Sequence, residues 1–94
     1  VAGLRKDPTM KTIFVNIKCE LGQAYHVATA AVDEVEFVSE VYSTSGQWDL
    51  MVKCHLPDDI DIGHYVTERI QALPGIRDTF TVVAYKAFSV DRSL

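Results

Sequence analysis

The chain has 94 residues, of which 48% are hydrophobic and 23% charged, and its formal net charge is -4. A chain of this length makes one domain with a thin core, and no apolar run approaches the ~20 residues of a membrane span. Its 9 Lys and Arg are outnumbered by 13 Asp and Glu and, apart from Arg5-Lys6, are scattered, which argues against direct binding to a phosphate backbone.

The N-terminus lacks the charged-then-apolar pattern of a signal peptide. Cys19 and Cys54 are too few for a disulfide scaffold, so an intracellular, cytoplasmic location is expected. Residues 1–11 read as a tail or linker, because Gly3, Pro8 and mixed charges give no periodicity. The folded domain is expected over residues 12–88, with 89–94 as a short polar tail.

Thr12 to Cys19 is the first strand. Ile13, Val15, Ile17 and Cys19 alternate on one face, and Phe14, Asn16 and Lys18 share the other. Gly22 to about Val35 is the first helix, with Ala24, Val27, Ala28, Ala31, Val32 and Val35 on a single stripe. Phe37 to Tyr42 is the second strand. A polar turn around Gly46 then joins it in a β-hairpin to the third strand, Trp48 to His55. There Leu50, Val52 and Cys54 face one way, and Asp49, Met51, Lys53 and His55 the other. Pro57 ends that strand, since its ring supplies no ladder donor.

Asp58, Asp59 and Asp61 mark a helix start, where acidic side chains accept from free backbone N–H groups. The second helix is expected to run to about Ala72. Ile62, Tyr65, Val66, Ile70 and Leu73 form its stripe, interrupted by Arg69. Leu73-Pro74-Gly75 stops it. Arg77 to Phe88, rich in Thr, Val, Phe and Tyr, is the fourth strand.

The order β-α-β-β-α-β predicts an α+β, ferredoxin-like fold. It has a four-stranded antiparallel sheet, both helices on one face, and strands one and three as central neighbours. The uncovered face carries Phe14, Met51 and half of the fourth strand. An open apolar face on a small domain marks an interface, so at least a dimer with sheets meeting face to face is expected.

Two stretches carry a family resemblance. Ser45-Gly46-Gln47-Trp48-Asp49-Leu50-Met51-Val52-Lys53 is similar to the central hairpin of the Lrp/AsnC effector-binding domain, typically Gly-x-aromatic-Asp before an apolar strand. Leu73-Pro74-Gly75-Ile76, followed by Thr79-Phe80-Thr81 and an apolar run, is similar to that family's helix end and last strand. The resemblance covers roughly residues 12–88. Members usually carry an N-terminal helix-turn-helix domain; this sequence resembles the stand-alone versions. The resemblance implies dimers that associate into rings and bind amino acids or similar effectors between dimers. It also implies a route to transcription through a full-length relative. Carried over, Gly46, Gln47, Trp48 and Asp49 would contribute to the ligand site, with Thr79 and Thr81 beside them. No cofactor, metal or enzymatic activity is implied.

Each of these residues also has a structural reading. Gly46 and Asp49 serve turn chemistry as readily as ligand contact. Trp48 can pack, Thr79 and Thr81 are good strand formers, and Asp49 can alternatively meet a ligand ammonium. His26, His55 and His64 lack metal-ligand spacing, though they are the residues a rival reading needs. That rival is a small cofactor-free monooxygenase or haem-degrading enzyme of the dimeric α+β type. Cys19 and Cys54 are expected as buried thiols at opposite ends of the central strand pair, too far apart for a disulfide.

Overall fold

The alternation of Ile13, Val15, Ile17 and Cys19 makes the spine of the domain. In the computed structural model, which describes residues 10–88, these side chains lie on the inner face of β1 (Met10–Cys19) and are buried. The remaining elements follow as α1 (Ala24–Glu34), β2 (Val38–Ser43), β3 (Leu50–Pro57), a second helix and β4 (Ile76–Ala84). The sheet order is β2-β3-β1-β4 and every pairing is antiparallel. The ferredoxin-like arrangement read from the sequence is therefore the one observed, with the first and third strands at the centre. Residues 1–9 of the expected N-terminal tail, and the tail expected at 89–94, lie outside the described residues.

Leu50, Val52, Cys54 and Leu56 of β3 pack beside the inner face of β1 to form the core. Helix α1 adds Val27 and Ala31, and Val35 follows at its C-cap. Val32, expected on the same stripe, is instead 59% exposed. The apolar stripe is narrower than the sequence suggested, because the small side chains Ala24, Ala28 and Ala31 already bring the helix onto the sheet.

The second helix differs most from expectation. It begins as α2 (Ile62–Tyr65), capped by Asp61, whose side chain accepts from the His64 amide at 3.3 Å. Asp58 and Asp59 belong to the preceding turn. From Val66 to Ile70 the helix widens into a π turn, closed by the Gln71 amide donating to Val66 O at 2.8 Å. The wider turn brings Tyr65, Val66 and Ile70 inward together and leaves Arg69 outside. This resolves the interruption in the sequence stripe, and the helical run ends at Ile70 rather than Ala72.

Strand limits also shift. β1 starts at Met10, so Met10 and Lys11 belong to the sheet and not to the tail. Pro57 is the last residue of β3 rather than a residue beyond it. β4 ends at Ala84, which is paired with Thr12, and residues 85–88 have no regular structure.

Gly75 explains why the helix-stop motif has its form. Its φ is +93°, and a Cβ there would lie 3.1 Å from both Gln23 Cβ and Val27 Cγ2. Gly75 O also accepts from the Glu20 amide at 2.8 Å. The glycine lets the start of β4 pass directly beneath α1 and pins it to the end of β1.

Candidate functional site

The hairpin turn is held from within. Thr44 donates twice, its amide to Asp49 O at 3.0 Å and its hydroxyl to Trp48 O at 2.9 Å. Gly46 sits between them at φ +91°, a conformation suited to glycine. Trp48 and Asp49, expected as the first residues of the third strand, belong to the loop that precedes it.

Asp49 nevertheless bonds to β1. Its amide donates to Ile17 O at 2.8 Å, and its Oδ2 accepts from the Cys19 amide at 2.8 Å. Where the β3 main chain turns away, the side chain replaces the missing ladder acceptor. Oδ1 lies 3.7 Å from Lys18 Nζ, an ion pair about two-fifths exposed on the lysine side. Such a pair stabilises by at most about 1 kcal/mol, so the amide bond is the stronger anchor.

On the other side of β1 the ladder is irregular. Lys18 pairs with Asp78 and Cys19 with Ile76, which leaves Arg77 as an extra residue in a β-bulge. A bulge re-aims the side chain it carries. Arg77 is exposed and makes no ion pair among the described residues. Asp78 instead accepts from the neighbouring Thr79 amide at 2.8 Å through Oδ1.

Trp48 stacks on Phe80, with ring centroids 6.1 Å apart and planes inclined by 22°. Phe80 faces Asn16 on the uncovered side of the sheet and is 57% exposed. Two open clefts adjoin at this corner. One, of about 510 Å³, is lined by Lys18, Gly46, Gln47, Trp48, Arg77 and Asp78. The other, of about 410 Å³, lies between the β1–α1 loop and the bulge and includes Asp49, Glu20, Leu21, Tyr25, Lys18 and Arg77.

The structure thus brings Gly46, Gln47, Trp48 and Asp49 to one corner. Thr79 and Thr81 are elsewhere: they pair with Ile17 and Val15, which places them on the helix side of β4. Thr79 Oγ1 accepts from Gln71 Nε2 at 2.7 Å. Sequence reasoning missed Lys18, Glu20 and Arg77 at this corner. The available signal was the polar interruption Arg77-Asp78 at the head of an otherwise apolar strand.

The cysteines and histidines do not converge. Cys54 is opposite Ile13, so about 20 Å of strand separates it from Cys19 at ~3.3 Å per residue. Both thiols are free and buried. Burial raises the Cys19 pKa and the Asp49 carboxylate adds to the rise, with Lys18 opposing it; Cys19 is a poor nucleophile for that reason. His55 Nδ1 lies 3.1 Å from Thr12 Oγ1, and His64 Nδ1 lies 3.6 Å from Glu68 Oε2. His26 is exposed on α1. Among the described residues no three His, Cys, Asp or Glu side chains gather as metal ligands, and no helix is long and apolar enough to cross a membrane.

Comparison with known proteins shows the family. The sequence model described as the Lrp/AsnC ligand binding domain matches residues 12–94. The chain is 32% identical over 73 residues to the leucine-responsive regulatory protein of Salmonella typhimurium, covering 76% of this chain and 44% of that protein. It is 30% identical over 73 residues to the HTH-type transcriptional regulator FL11 of Pyrococcus abyssi, covering 78% and 47% respectively. The chain therefore spans about half the length of these curated relatives. Among solved structures, TTHA0845 from Thermus thermophilus superposes with a TM-score of 0.69 at 28% identity, covering 85% of this chain and 99% of that one.

Proposed function

This chain belongs to the Lrp/AsnC ligand-binding domain family, and from that premise we propose that it binds an amino-acid effector at an interface between copies of itself. The observation that carries the proposal is the corner where the hairpin turn, the end of β1 and the β4 bulge meet. Two clefts adjoin there and share Lys18 and Arg77. Gly46, Gln47 and Trp48 form one rim and Asp49 belongs to the other. Both clefts are open, so a second subunit would complete the site. Thr79 and Thr81 join the reading through the edge strand β4, as a wall a neighbouring subunit could meet.

The uncovered sheet face supplies the other half. Tyr42, Phe80 and Val82 are exposed there, beside the half-buried Phe14 and Met51. Asn16, Lys53 and His55 share this face, but so many exposed apolar groups on so small a domain favour self-association. A dimer closed across it, assembling further into a ring, would bring corners of different subunits together. A ligand bound across subunits then favours whichever oligomer forms its site.

The two curated relatives described above are transcriptional regulators, one of them named for its response to leucine. That supports an amino acid as the effector class and a regulatory rather than catalytic role. On this reading the protein is cytoplasmic and acts on transcription by co-assembling with a full-length regulator of the family. Mixing the two and separating the products by native mass spectrometry tests that step; a complete lack of mixed oligomers refutes it.

The effector reading is tested by a thermal-shift screen against the twenty free amino acids, followed by sedimentation of the best binder. A raised melting temperature together with a larger assembly is expected. If no amino acid changes either quantity, the reading is wrong.

A further inference from the structure

We infer that the cleft between the β1–α1 loop and the bulge reads the two charged ends of a free α-amino acid, with Arg77 taking the carboxylate and Glu20 the ammonium. The inference rests on the effector-binding reading above and names the chemistry of its site.

Asp49, the acid that the hairpin motif offers for an ammonium, already serves the sheet. Its two oxygens serve the Cys19 amide and Lys18 Nζ. Asp78 accepts from the Thr79 amide. Lys18, the second cation at the corner, is engaged with Asp49. Arg77 and Glu20 are left: both are exposed, and neither side chain makes a hydrogen bond or ion pair among the described residues. Both line the same cleft of about 410 Å³.

Their backbones are fixed relative to each other. The Glu20 amide donates to Gly75 O at 2.8 Å, two residues ahead of Arg77 in the chain. The bulge then turns Arg77 out of the ladder. A guanidinium is suited to this task, since its planar fork matches a carboxylate with two parallel hydrogen bonds. Two opposite charges carried on this joined backbone match a zwitterion better than either ion alone.

The same cleft also fixes the class of side chain. Leu21 and Tyr25 line it and are 97% and 79% exposed, with Ala24 between them. Apolar groups held out at a charged cleft favour an amino acid whose own side chain is apolar, which would cover them on binding.

Calorimetric titration with each of the twenty free L-amino acids tests this, followed by the amide and the N-acetyl derivative of the tightest apolar binder. The protein should bind at least one apolar amino acid, and both derivatives at least about tenfold more weakly. Arg77→Ala should bind the free amino acid no better than the unaltered protein binds the amide, with partial recovery in Arg77→Lys. Glu20→Gln should do the same relative to the N-acetyl derivative. Circular dichroism should be unchanged, since both residues are exposed. Unaltered affinity in Arg77→Ala and Glu20→Gln overturns the inference and leaves the effector reading standing, as does binding confined to polar amino acids. Binding of no amino acid at all overturns both.

Discussion

The carboxylate of Asp49 accepts a 2.8 Å hydrogen bond from the amide of Cys19, thirty positions away in sequence. The bond closes the end of the central strand pair at the point where the β3 main chain departs. An aspartate that looks like a free ligand contact in a polar turn is thus first a part of the sheet.

Asp49→Ala should destabilise the fold by about 1.5–3 kcal/mol, the range for a hydrogen bond to a charged group whose partner is left unmet. Asp49→Asn keeps an acceptor oxygen and should recover much of that loss. Lys18→Ala removes only the exposed ion pair and should cost less than about 1 kcal/mol. Urea unfolding of the three variants separates these contributions; equal losses in all three would contradict the assignment.

Gly75→Ala should be costly for two reasons that add. The residue holds φ +93°, and the new methyl would meet Gln23 Cβ and Val27 Cγ2, each at 3.1 Å. Left-handed strain costs about 1 kcal/mol and forced repacking of a tight contact about 1–3 kcal/mol. Gly46→Ala has the strain without the clash, because nothing lies within 4 Å of a Cβ there. Thermal melts of the pair should rank Gly75→Ala well below Gly46→Ala.

Trp48 is the only tryptophan, so its fluorescence reports on one place. Phe80→Ala removes the ring stacked on it and should shift the emission to the red. Because Phe80 lies on the uncovered sheet face, the same change should weaken self-association more than it lowers monomer stability. Sedimentation equilibrium against concentration measures the first effect, and denaturant unfolding of the dilute protein measures the second.

Alkaline pH should loosen the core. Burial raises the pKa of the Cys54 thiol, partly opposed by the Tyr65 hydroxyl 3.6 Å away. Burial likewise raises the Tyr65 phenol, which donates to Glu36 O at 2.7 Å. Both groups hold their protons more tightly folded than unfolded. The stabilisation is therefore whole below the ordinary thiol value of 9.0 and is lost as the pH rises through the folded values. Unfolding free energies measured between about pH 8 and pH 11 should fall, and Cys54→Val should shallow the decline.

The frame of the domain was legible because its signals are local. Alternation in β1 and β3 named the buried face residue by residue, and the Leu73-Pro74-Gly75 stop was read where it occurs. The site was less legible because its contacts are long-range. Nothing near Asp49 in the chain announces that its partner is Cys19. The bulge at Arg77 arises from pairing with β1 and is invisible without that pairing. Thr79 and Thr81 were grouped with the turn by motif, although strict alternation from Phe80 puts them on the opposite side of the sheet. The π turn is not legible in the sequence, because a 3.6-residue period puts Arg69 on the apolar stripe and nothing local marks the wider turn.

The bulge also bears on how this strand can change length. A single deletion within residues 79–83 would reverse the sidedness of the part of β4 that lies to one side of it. Deletion of Arg77 would not, since Ile76 and Asp78 already face consecutive residues of β1. One position in the last strand is therefore decoupled from the frame of the sheet. A residue can be lost or exchanged there without rewriting the fold around it, so this position can vary in a way that no other position of the strand can.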